Sequence, residues 1–127
     1  MIDHTGLQVS RPQESKRFYE QALAPLGYTL LMQVPKEYTD GKVVLGYGVA
    51  PTADFWLAEG TPHQPRIHIA FRASTRAQVD EFYRAALAAG GKDNGGPGLR
   101  PQYHAHYYAA FVIGPDGHNI EAVCHEP

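Results

Sequence analysis

The stretch His4–Gly27, HTGLQVSRPQESKRFYEQALAPLG, lies without a gap on His68–Gly91, HIAFRASTRAQVDEFYRAALAAGG, at a constant offset of 64 residues. Eight positions coincide: His4 with His68, Ser10 with Ser74, Phe18 with Phe82, Tyr19 with Tyr83, Ala22 with Ala86, Leu23 with Leu87, Ala24 with Ala88 and Gly27 with Gly91. The matches include chemically distinctive residues, so chance explains them poorly and the chain reads as two copies of one unit.

Each copy opens with alternation and then changes period. Leu7 and Val9 are apolar while His4, Gly6 and Gln8 hold the other parity. In RIHIAFR, Ile67, Ile69 and Phe71 oppose His68, Ala70 and Arg72. Both patterns fit a strand with one buried face, and both histidines fall on the other face. Apolar residues then recur at three and four, over Phe18, Tyr19, Ala22, Leu23 and Leu26 and over Val79, Phe82, Tyr83, Ala86 and Leu87, as an amphipathic helix requires. Ser10 with Gln13, and Thr75 with Gln78, have capping-box spacing, while Gly27 and Gly90-Gly91 stop the helices.

Three strand candidates follow the first helix: YTLLMQV, KVVLGYGV and ADFWLAE. After the second helix the first strand is the weakest, within GKDNGGPGLRP, followed by YYAAFVIG, a PDG turn and HNIEAVC. The prediction is an α+β fold of two βαβββ modules, residues 1–60 and 65–127, in one domain, with the sheet faces opposite the helices curving around a common cleft. NGGPGLRP has no lysine or serine at phosphate-loop spacing and reads as a flexible rim.

Composition narrows the function classes. The 127 residues are 43% hydrophobic and 19% charged with a formal net charge of -2, a globular profile without an electrostatic reason for nucleic acid or an anionic membrane as partner. No run reaches the length of a membrane span, and MIDHTGLQVS lacks the pattern of a secretion signal, so the expected location is cytoplasmic. The single cysteine, Cys124, shares its parity with Ile120 and Ala122 and reads as a small buried hydrophobe.

With Ile120, Ala122 and Cys124 on the apolar parity, Glu121 falls on the side that the repeat assigns to His4 and His68. Two imidazoles and a carboxylate from three strands form the 2-His-1-carboxylate set, which holds one face of a metal and leaves positions open.

On these residues the sequence resembles the vicinal oxygen chelate superfamily of glyoxalase, bleomycin-resistance and extradiol dioxygenase proteins. IDHTGLQV, SKRFYEQAL, RIHIAFRA and AAFVIGPDGHNIEAV carry the resemblance over essentially the whole chain. It implies two βαβββ modules around a half-open cleft, with metal ligands on the first and fourth strands of each. His4, His68 and Glu121 occupy three of those four positions. The fourth falls on Trp56 when DFWLA is aligned with NIEAV, or on Leu57 by the gapless offset, and neither binds a metal. The three-ligand set is similar to that of extradiol dioxygenases and fosfomycin-resistance thiol transferases. The four-ligand pattern belongs to glyoxalase I.

The resemblance implies one divalent ion (Fe, Mn, Zn or Ni), a small oxygenated substrate handled by dioxygenase-, glyoxalase- or thiol-transferase-like chemistry, and a homodimer. The alternative is a non-catalytic sequestering protein of bleomycin-resistance type, with Trp56 as an aromatic wall of the binding cleft. In RPQYHAHYYAAFVIG, parity assigns Tyr107, Ala109, Phe111 and Ile113 to the helix side and sends His104, His106 and Tyr108 into the cleft. There His104 or His106 would be a general base or proton donor, Tyr108 would hydrogen-bond a reacting oxygen, and Arg100 would hold a substrate carboxylate. Glu121 would be a ligand first and a base only on detaching. His63, His118 and His125 have no convergent partner in this reading.

Overall fold

The computed structural model describes residues 1–127. In the first unit, β1 (Thr5–Val9), α1 (Pro12–Leu23), β2 (Thr29–Gln33), β3 (Val44–Gly48) and β4 (Phe55–Glu59) build a sheet of order β1-β4-β3-β2. The second repeats the plan with β5 (His68–Arg72), α2 (Arg76–Ala88), β6 (Lys92–Asp93), β7 (Gly98–Leu99), β8 (Tyr108–Ile113) and β9 (Asn119–Cys124). Its order is β5-β9-β8-β6, with β7 also paired to β8. In both units the first strand runs parallel to the last, and the others pair antiparallel. The α+β class and the two-module plan agree with the sequence reading.

The weak strand of the second unit is two short ones, β6 and β7, separated by Asn94, Gly95, Gly96 and Pro97. Gly95 takes φ +140°, and proline offers no ladder donor, so the strand cannot run through.

The two helices start differently. Thr75 caps α2 in a full capping box: its hydroxyl accepts from Gln78 N–H at 3.2 Å, and Gln78 Oε1 accepts from Thr75 N–H at 3.3 Å. The expected Ser10 cap of α1 does not form, because Pro12 opens the helix and Arg11 takes the N-cap position without a side-chain bond. Ser10 reaches the other unit instead. Its hydroxyl donates to Asp116 Oδ1 at 2.5 Å and its N–H to Oδ2 at 2.9 Å. These bonds, with Arg66 Nε donating to the Asp116 carbonyl, hold Asp116 at φ +64°, a conformation that is costly for a residue with a Cβ.

Both units contribute to one core. Leu7, Tyr19, Leu23 and Phe55 of the first join Phe71, Phe82, Val112 and Ile120 of the second in a cluster of 22 buried residues. Phe55 and Phe71 meet edge to face across the junction, centroids 5.0 Å apart at 90°. His118 adds a polar tie: its Nδ1 accepts from Ile67 N–H at 3.1 Å and its Nε2 donates to the Gln8 carbonyl at 3.3 Å. It is fully buried, so the histidine that seemed without a partner in the sequence joins the units, and burial holds its pKa below the ordinary range. Cys124 is buried as expected. No helix is long and apolar enough to cross a membrane.

Candidate functional site

The strand registers decide which residues are equivalent. Gly6 pairs with Trp56, and Ala70 pairs with Glu121. Gly6 and Ala70 are the same position of the repeat, so Trp56 stands where Glu121 stands. Leu57, the other candidate for that position, is in the core with 1% exposure. Trp56 faces away from the core, half-buried. A Cβ on Gly46, its β3 neighbour, would lie 2.7 Å from the indole, so the ring lies over a position that only glycine leaves open.

Glu121 is 2% exposed, and a buried carboxylate requires partners. Tyr107 donates to its Oε1 at 2.5 Å, and its Oε2 stands 3.0 Å from His68 Nε2. His68 Nδ1 lies 3.0 Å from the Asn119 carbonyl. That carbonyl only accepts, so Nδ1 carries the proton and Nε2 of the neutral ring is bare. Nε2 and Oε2 are then both acceptors 3.0 Å apart, a contact that a proton or a cation between ring and carboxylate makes favourable. A histidine whose Nδ1 is tied to a carbonyl and whose Nε2 is presented beside a carboxylate has the tautomer and orientation of a metal ligand, so the pair fits a divalent ion.

His4 is placed elsewhere. It is exposed, one residue before β1, with Nδ1 2.7 Å from Asp3 Oδ2. With Asp3, Tyr28, Asp54 and Arg72 it lines a cavity of about 380 Å³ that neither His68 nor Glu121 borders. Within one chain, no group of three or more His, Cys, Asp or Glu side chains is placed to hold a metal ion.

The parity assigned to β8 is reversed. Phe111 pairs with Glu121, so it shares the outer face with Glu121 and stacks beside His68 at 6.2 Å. Tyr108 is correspondingly on the helix side. Its hydroxyl donates to Asp80 Oδ1 of α2 at 2.7 Å, and Arg76 lies over its ring. Tyr107, one residue earlier, is the tyrosine at the carboxylate. Burial first and the bond to Glu121 second push its hydroxyl up to about 12, so it remains a donor at neutral pH. The run YYAAFVI is apolar on both parities, which left the sequence no contrast from which to choose a face.

His104 pairs with His125, for which the sequence suggested no partner. Nε2 of His104 and Nδ1 of His125 are 2.7 Å apart, and both rings meet Tyr107 edge-on at 5.4 Å. His104 Nδ1 accepts the His106 backbone N–H, so its proton sits on Nε2 and points to His125. His106 is exposed and its ring makes no hydrogen bond, so the structure does not bring it to Glu121. Arg100 donates to the carbonyls of Gly98 and Gly96, both at 2.8 Å, with its guanidinium 5.4 Å from the Phe111 ring centre.

Residues 1–122 match the model of the Glyoxalase/Bleomycin resistance protein/Dioxygenase superfamily. The chain belongs to this superfamily. It is similar to a glyoxalase/bleomycin resistance protein from Albidiferax ferrireducens at 27% identity, over 98% of each chain, with a TM-score of 0.71. The fold also matches a glyoxalase I mutant from Zea mays at 22% identity and TM-score 0.71, over 96% of this chain and 46% of the maize protein. A third match is a fosfomycin resistance protein mutant from Listeria monocytogenes, in complex with Mn(II) and a dihydroxypropylphosphonic acid, at 18% identity and TM-score 0.68, over 97% and 88% of the two chains. No curated protein matches the sequence. Superfamily membership agrees with the resemblance read from the sequence.

Proposed function

We propose that this superfamily member is a metal-dependent enzyme acting on a small oxygenated molecule, with the ion held by His68 and Glu121 of one chain and His4 of a second copy in a homodimer. The observation that carries the reading is the 3.0 Å approach of His68 Nε2 to Glu121 Oε2, with Nδ1 tied to Asn119. His4 is exposed and apart from the pair in its own chain, which is why the reading needs a second copy to complete the set.

The bound ion supplies Lewis acidity toward substrate oxygens. The chain's own residues orient and protonate. Tyr107 fixes the Glu121 carboxylate and is the proton donor nearest to it. Of the two histidines read from the sequence as general base or proton donor, His104, paired with His125 and packed edge-on against Tyr107, is the candidate for that role. Phe111 and Trp56 are the aromatic walls, one on each unit.

Metal analysis of protein purified without chelator tests the reading. The expectation is near-stoichiometric divalent ion in the parent chain and loss of it in His68→Ala with the fold retained. A second reading, drug or metabolite sequestration without metal chemistry, is favoured by Trp56, which fills a ligand position with an aromatic surface. It predicts metal-free protein that still binds aromatic compounds with quenching of the only tryptophan.

A further inference from the structure

The glycine-rich stretch 94–98 is not the loose rim that its composition suggests. Asn94 N–H donates to the Phe111 carbonyl at 3.0 Å, and Phe111 N–H donates to the Gly95 carbonyl at 2.8 Å. Gly95 N–H is held by Asp93 Oδ1 at 2.9 Å. The segment so fixed wraps one side chain. Carbonyls of Gly96 and Gly98 accept from the two terminal nitrogens of Arg100, and a Cβ on Gly95 would lie 3.1 Å from one of those nitrogens and 3.1 Å from the Phe111 ring. At Gly95 and Gly98 the guanidinium occupies the room that a side chain would take, a Cβ on Gly98 lying 3.3 Å from its other terminal nitrogen.

The guanidinium so held keeps an uncompensated charge. Arginine–carboxylate ion pairs form at Arg11–Glu14 and Arg84–Glu81, and Arg100 takes part in none. The two carbonyls use two of its five N–H groups, leaving three, and the side chain is half-buried on the ring that also stacks His68. Stapling two carbonyls needs only a neutral donor, and a half-buried, preorganised cation beside a candidate reaction centre has the chemistry of an oxyanion receptor.

We infer that Arg100 and the 95–98 loop form an anion cradle, and that the substrate carries a carboxylate or phosphonate together with the oxygens that face His68 and Glu121. This rests on the proposed metal reading for the second contact point, while the anion contact stands by itself.

The test uses metal-chelating heads that are identical and differ only at the far end. Mn(II)-loaded protein is titrated with hexanohydroxamate, which is neutral beyond its head, and with monohydroxamates of succinic and adipic acid and their phosphonate-terminated counterparts. At least one anionic probe should bind about tenfold or more tighter than the neutral one, the strength of a charge-assisted hydrogen bond. That gain should vanish in Arg100→Gln and return in part in Arg100→Lys, which keeps the charge but not the fork. The carboxylate and phosphonate series show which oxyanion the cradle takes. No gain in the parent chain, or an equal gain in Arg100→Gln, overturns the inference. If hexanohydroxamate fails to bind at all, the metal reading falls separately. Methylphosphonate titrated onto metal-free protein then decides the cradle, which stands if binding depends on Arg100 and falls if it does not.

Discussion

The two units share a strand plan, a helix and a histidine at the same repeat position, yet they equip their outer faces in opposite ways. In the first, the large aromatic sits on the last strand as Trp56 and its β3 neighbour is Gly46. In the second, the last strand holds Glu121 and its β8 neighbour is Phe111. The aromatic has moved one strand over, and the vacated place is a carboxylate furnished with Tyr107, His68 and, through His68, Asn119. Duplication thus supplied one scaffold twice, and only the second copy was built into a polar site. His4 has no such surroundings and pairs with its chain neighbour Asp3.

If the units are two halves of one folding block, breaking the junction should unfold both. Phe55→Ala removes a ring with 1% exposure that packs on Tyr19, Tyr47 and Phe71, and is expected to cost about 3–5 kcal/mol with a single unfolding transition by calorimetry. Two separate transitions would mean that the units are independent.

The contrast between adjacent tyrosines is sharper still. Tyr107→Phe removes the donor that orients Glu121 and should weaken metal binding about 10–100-fold. Tyr108→Phe loses the bond to Asp80 on the helix side and should cost roughly 1.5–3 kcal/mol of stability while leaving metal affinity unchanged. Unchanged affinity in Tyr107→Phe would place that tyrosine outside the site, and an equal loss in Tyr108→Phe would make the effect one of general destabilisation.

On the first unit, Gly46→Ala pushes a methyl group against the Trp56 indole. It should cost about 1–3 kcal/mol and shift the tryptophan emission, because the ring must leave its seat. An unchanged spectrum would show that the aromatic wall is not set by Gly46.

The smallest expected effect concerns the tie between the units. His118 is buried with its pKa below the ordinary 6.5, so as pH falls through and below 6.5 the unfolded chain binds the proton that the folded one refuses. Stability should therefore drop toward acid pH by at most about 1.4 kcal/mol per unit from this group, and be insensitive to it above 6.5. His118→Gln should flatten that part of the urea-denaturation profile, and an identical slope in the variant would remove His118 as its cause.

Much of this was legible beforehand because burial imposes period. The repeat, both helices, the outer placing of His68 and Glu121 and the buried Cys124 all follow from alternation or three-four spacing with a clear apolar side. What escaped was where that contrast is missing or where partners are distant in sequence. Tyr107 and Tyr108 both suit a strand, and only the β8–β9 register separates them. The Ser10 hydroxyl had two outlets, its own helix or Asp116, and Pro12 decided for the second. His118 and His125 look alone until the chain brings Gln8 and His104 to them. Glycines 95 and 98 read as slack, though they make room for one arginine.

In the proposed function, a cation joins His68 and Glu121 of one chain to His4 of another. Mixing His4→Ala with His68→Ala, after mild dissociation and reassociation, tests it most directly by metal content. Each variant alone should lack tightly held metal, and the mixture should recover part of it, since a hybrid dimer contains one intact set. Full metal in His4→Ala alone, or no recovery on mixing, would contradict a site shared in this way.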